Sequence, residues 1–193
     1  ATTVIQDEWL HVRMRGATDY RLAVQEGRVA IVAVGQESAS GLFRRVAVDP
    51  ERCPVLEWSW GVETLQPNAD IRLKAREDVA ASVFLLFGDP GFLTDPDPVP
   101  TLRYVWTNGK VPAETIVESP YLPGTVRSLV VESGTKRVGT WVVERRNVAR
   151  DFERAFGYPP KDHIQAIALF TDNDQTKQPV KAYYGWARVV CAP

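Results

Sequence analysis

The chain has 193 residues, 45% apolar and 24% charged, as in an ordinary globular protein long enough to bury one core. Its 23 Lys and Arg against 24 Asp and Glu leave a formal charge of -1, which offers no electrostatic pull toward nucleic acid or an anionic membrane. No apolar run approaches the roughly 18 residues of a membrane span, so we expect neither a span nor a nucleic-acid partner.

Strand-like runs at 9–13, 20–24, 28–34 and 41–48 open the chain, punctuated by Glu26-Gly27 and Asp49-Pro50. Then comes the clearest alternation, with Leu56, Trp58, Trp60 and Val62 on one face and Glu57 and Ser59 on the other. A period of two marks a strand with one buried face. Residues 79–87 are apolar on both faces apart from Ser82, which predicts a central strand covered on both sides. Residues 88–100 hold four prolines and two glycines and cannot continue a ladder, so a rim loop is expected there.

Further strands are predicted at 102–106, 115–117, 128–133, 140–145, 164–171 and 182–190. One helix interrupts them over 148–156. Asn147 can cap it, Val148, Phe152, Ala155 and Phe156 share a face, and Gly157 before Pro159-Pro160 stops it. Crossover helices are missing, which excludes a parallel α/β sheet. The expected fold is all-β: a two-sheet antiparallel jelly-roll sandwich, one domain over 1–193 with no linker.

Cys53 and Cys191 stand just before one strand and just after the last. With no CxxC or Cys/His spacing, a structural zinc site is excluded. A bridge between the strand ends and two unpaired apolar thiols both fit the sequence. The opening Ala1-Thr2-Thr3, without Met, is what a trimmed exported protein would show, and we expect an exported, periplasmic or extracellular chain.

Several segments resemble a bacterial exported family of unknown function, family 3047. They are Pro54 to Trp60, Glu77 to Ala81, Tyr104 to Asn108, Trp141 to Val148, Phe156-Gly157, Ala168 to Thr176 and Ala182 to Gly185, in order between about Gly41 and Gly185. The resemblance implies a jelly roll related to sugar-binding modules and no established activity. This chain departs from it at Ser82, where relatives tend to carry Arg, and at Trp186, where they carry an acidic residue.

Three groups of residues are candidates for chemistry. Asp172 and Asp174, in the run Thr171 to Thr176, offer hard oxygen ligands suited to Ca²⁺. The full twelve-residue calcium loop is absent, and an Asx-rich turn, which we weight above the ion, uses the same residue types. Glu144 and Arg146 fall on one face of their strand and Arg145 on the other. An arginine here could fork onto a ligand's carboxylate, or onto Asp172 or Asp78 to pin the helix. The aromatics Trp106, Tyr183, Tyr184 and Trp186 could stack on sugar faces, whereas Trp58 and Trp60 read as core.

Catalytic signals are thinner. Glu57, Glu63, Asp78, Glu144, Asp172 and Asp174 could supply a glycosidase pair, but no Glu-x-Asp-x-x-Glu run appears. His11 and His163 lie in no nucleophile or metal motif. We therefore expect a non-catalytic module binding a carbohydrate or other small polar ligand through Asp78, Trp106, Asn108, Glu144, Arg145, Tyr183, Tyr184 and Trp186. The alternatives are a polysaccharide-acting enzyme and a structural envelope protein; oligomeric state is left open.

Overall fold

Alternation dictates which side chains of each strand share a face. The computed structural model, which describes residues 2–3 and 9–193, packs two sheets on the faces so chosen. The first sheet runs β11 (Val142–Asn147), β6 (Val55–Thr64), β13 (Lys181–Val190), β4 (Arg28–Val34) and β3 (Asp19–Gln25), with β1 (Thr2–Thr3) also pairing β13. The second runs β2 (Leu10–Arg15), β5 (Ala39–Val48), β12 (Ile164–Asp172), β7 (Ala81–Phe87), β8 (Thr101–Thr107), β10 (Val126–Ser133) and β9 (Ile116–Glu118). The fold is the expected mostly-β sandwich. Its pairing is antiparallel except between β8 and β10, which run parallel; residues 108–125 form the crossover that parallel strands require.

Between the sheets, Leu56, Trp58, Trp60 and Val62 of β6 meet Leu102, Tyr104 and Trp106 of β8. Trp58 stacks on Tyr104 with ring centroids 5.0 Å apart and meets Trp60 edge-on at 5.4 Å. Each such ring contributes about 1.5–3 kcal/mol of burial. Strand β7 is the middle one of seven, as its two apolar faces predict. Its inward Val83 and Leu85 join the main core, while Phe84 faces outward against Leu93 of the proline-rich loop.

The opposite row of β6 is also buried, because the outer face of the first sheet carries its own cover. Trp141 packs edge-on against Tyr183 at 4.7 Å, and the Tyr183 ring lies so close to Gly61 that a Cβ there would come within 2.1 Å. Only glycine fits under that ring.

The helix α1 (Val148–Phe156) matches the predicted limits. The Asn147 side chain accepts from the Arg150 N–H at 3.0 Å, and Gly157, at φ 85°, donates its N–H to the Glu153 carbonyl at 2.8 Å. Arg146 forks onto Asp151 (Nε–Oδ2 2.8 Å, Nη2–Oδ1 2.9 Å), and Tyr104 donates to the same carboxylate at 2.8 Å. An ion pair therefore does pin the helix, but its carboxylate is Asp151 rather than Asp172 or Asp78. The helix supplies a partner one turn in from its start, closer than any strand end.

Cys53 and Cys191 are bridged. The turn after Asp49 and the end of β13 meet because β6 and β13 are paired neighbours. Because the two lie 138 positions apart, closing that loop contributes on the order of 4–5 kcal/mol in the chain-entropy account.

Candidate functional site

On the second sheet the inward row is filled by Val83, Leu102, Tyr104, Leu129 and Leu169, so alternation turns Phe84, Arg103, Ser128 and Phe170 outward. One end of that outer face is sealed by a small core of Ile71, Val79, Val105, Val111 and Val130. Beside the seal lies a groove of about 400 Å³, floored by Phe84, Phe170 and Arg103 and walled by Glu77, Tyr121, Asp172, Asp174 and Gln175.

Arg103 is the central feature. It is only 6% exposed, donates Nε to Ser128 Oγ and Nη1 to Glu77 Oε1 (both 2.7 Å), and lies over the Phe84 ring at 5.6 Å. Its Nη2 is buried with no hydrogen-bond partner. A buried guanidinium N–H without an acceptor is costly to the fold, which makes it a candidate for a ligand's oxygen. Phe84 and Phe170 lie 5.6 Å apart, and Tyr121, 42% exposed, accepts from Gln175 Nε2 at 2.6 Å and donates to the Lys74 carbonyl at 2.8 Å.

Behind the groove wall, Asp78, Asp172 and Asp174 bring carboxylate oxygens within 4.8 Å of one another. Asp172 accepts the Val79 N–H at 2.7 Å, and Asp78 accepts those of Gln175 (3.2 Å) and Thr176 (2.6 Å). These bonds tie two distant segments together rather than closing a local turn, and they engage three of the trio's six carboxylate oxygens. Burial pushes the Asp172 carboxyl well above the usual range, and the charges of Asp78 and Glu77 push it further. Burial also raises Asp174, reinforced by the charge of Asp78 and a hydrogen bond with it. Burial and like charge thus both oppose the ionised forms of Asp172 and Asp174.

Residues 7–187 match the family described as Protein of unknown function (DUF3047). The chain belongs to this family. No curated protein matches it significantly. Among solved structures it is similar to the xyloglucanase domain of NopAA, a type three effector from Sinorhizobium fredii solved with cellobiose. That likeness has a TM-score of 0.46 and 8% identity over 95% of this chain and 96% of that one. It is also similar to a thermo-stable cellulase derived from Cel12A of Rhodothermus marinus, at TM-score 0.45 and 14% identity over 98% and 100%. Both scores are below one half, so the fold rests on the sheet topology and the family on its own match.

Of the residues that the sequence put forward, this DUF3047 chain gathers Asp78, Asp172 and Asp174 at one place, and Asp78, Trp106 and Asn108 around a cavity of only about 10 Å³. Trp106, Tyr183 and Tyr184 are 1%, 0% and 1% exposed and offer no face to a sugar. Trp106 lies in the main core, Tyr183 under Trp141, and Tyr184 hydroxyl-bonded to Thr171 Oγ1 at 2.8 Å. The expected sharing of a face by Tyr184 and Trp186 is undone by a register shift in β13 between Tyr184 and Ala187. Trp186 instead takes the Arg188 guanidinium over its ring at 5.6 Å. Asn108 clips the neighbouring loop, donating Nδ2 to the carbonyls of Gln66 and Ala69 at 2.8 Å each.

Arg145 pairs with Glu57 on the outer side of the first sheet, far in the fold from the groove. Glu144 faces the layer interior, accepts from Trp60 Nε1 at 3.3 Å and is raised to about 8, first by burial and then by Glu132. Sequence reasoning missed Arg103, Glu77, Tyr121, Phe84 and Glu132. The one available signal was an arginine on the alternation opposite Leu102, Tyr104 and Trp106, a charge in an otherwise apolar strand.

Proposed function

We propose that this protein is a binding module whose groove on the outer face of the second sheet takes a saccharide or similarly hydroxyl-rich ligand. The carrying observation is the buried Arg103 Nη2, without a protein acceptor, beside the rings of Phe84, Phe170 and Tyr121. Aromatic faces accept the apolar C–H patches of a sugar, while convergent donors and acceptors fix its hydroxyls. Glu77, Asp174 and Gln175 supply the acceptors and further donors around that guanidinium. Calorimetry against cell-wall and exopolysaccharide oligosaccharides tests the reading. We expect Tyr121→Ala, at an exposed position, to weaken binding about tenfold, the scale of one lost stacking contact. Full affinity in that variant and in Arg103→Lys would remove the groove as the binding site.

A hydrolytic reading draws on the carboxyl of Asp174, which burial and the charge of Asp78 raise above its ordinary value, in the direction a general acid needs. Reducing-sugar release that disappears in Asp174→Asn would favour it. The trio's spacing argues the other way, being tighter than the roughly 5–10 Å at which glycosidase carboxylates straddle a bond. We also place the chain in an oxidising, exported compartment, supported by the Cys53–Cys191 bridge. Thiol labelling in intact producing cells would find both cysteines blocked there and reactive in a cytosolic chain.

A further inference from the structure

A second cavity lies on the other side of the second sheet, between the layers. It measures about 480 Å³, within the roughly 300–1,000 Å³ of small-molecule sites. Leu56 and Ala187 line it from the first sheet, Leu85, Ile164 and Ile167 from the second, and Val148 from the helix. Its mouth is open to solvent past the exposed Arg45, Ala47, Arg52 and Cys191, so an elongated ligand has a way in.

Its charged lining is mostly arginine. Arg44 occupies the inward row of β5 with Leu42, Val46 and Val48, where alternation calls for an apolar residue. Arg52 lines the same cavity from the turn before Cys53 and is exposed. Trp9 adds an indole Nε1 that is buried without a hydrogen-bond partner. The carboxylate of Asp49, also in the lining, accepts the Glu51 N–H at 2.9 Å and lies 3.8 Å from His163. An apolar chamber edged by guanidinium and indole N–H groups fits a ligand with one long hydrocarbon and one anionic head.

We propose that the interlayer cavity binds a single-chain anionic amphiphile of the long-chain fatty-acid class. The hydrocarbon lies between the two sheets, and the carboxylate meets Arg52 and Trp9 Nε1. The site is independent of the saccharide groove, which lies on the opposite face of the second sheet.

The test titrates the full, disulfide-bonded chain with a fluorescent long-chain fatty acid, then displaces it with palmitate or with uncharged hexadecanol. Saturable binding at one site per chain is expected, with palmitate the stronger competitor. Arg52→Glu, at an exposed position, should weaken palmitate about fivefold, the scale of a partly solvated ion pair, and leave hexadecanol unchanged. Ala187→Phe should fill the chamber and abolish binding of both, with circular dichroism confirming the fold. Absence of saturable binding overturns the proposal. So does palmitate affinity unaltered in Arg52→Glu and in a folded Ala187→Phe.

Discussion

Asp151 and Asp172 are both carboxyls removed from water, at 4% and 8% exposure, yet the molecule treats them in opposite ways. Asp151 receives a forked arginine and a tyrosine hydroxyl, so its charge is compensated in place. Asp172 receives one backbone N–H and has Asp78 and Asp174 for neighbours. The first arrangement is a staple that fastens a helix to a sheet. The second withholds compensation, which is the condition under which a carboxyl keeps a proton or awaits a partner.

Removing each carboxyl sharpens that contrast. Asp151→Ala leaves Arg146 and Tyr104 without their shared acceptor and should cost about 3–5 kcal/mol, lowering Tm by on the order of 10 °C. Thermal and urea unfolding would measure it; a loss below 1 kcal/mol would end the staple reading. Asp172→Asn keeps an acceptor for the Val79 N–H and relieves the like charge, so at pH 8 it should be neutral or stabilising by about 1 kcal/mol. Its advantage over the wild type should shrink toward pH 4, because a carboxyl with a raised pKa favours folding most when protonated.

Glu144 offers the same behaviour at a site outside the groove. Raised from 4.5 to about 8, it contributes stability that is complete below pH 4.5 and lost as pH rises through about 8. Across that window the wild-type Tm should fall, by a few degrees, more than that of Glu144→Gln; parallel curves would break the assignment. The smallest expected effect concerns calcium. With backbone amides on three of the trio's oxygens, millimolar Ca²⁺ should leave Tm unchanged within about 1 °C, since only binding to the native state shifts it. A rise reversed by chelator and absent in Asp174→Asn would make the trio an ion site.

Local signals were legible wherever one stretch of chain decides its own structure. The row Leu56, Trp58, Trp60, Val62 announced a buried face, residues 79–87 announced a strand covered twice, and Asn147 with Gly157 bounded the helix. The reason is stereochemical: a strand's period of two and a helix's caps are properties of consecutive residues. The groove was legible only in its acidic wall, because Arg103, Tyr121 and Glu77 lie on three separate segments and show no common pattern.

The tertiary structure decided what depends on neighbours across the sheet. Alternation states that Tyr183 and Tyr184 face oppositely, but not that both faces of β13 are covered, nor that a register shift follows them. It places Arg146 inward without naming Asp151 as the carboxylate that meets it. Cys53 and Cys191 meet, and Asp78 joins Asp172 and Asp174, because distant strands pair side by side. Strand order arises from burying all these faces at once, and no single segment contains that information.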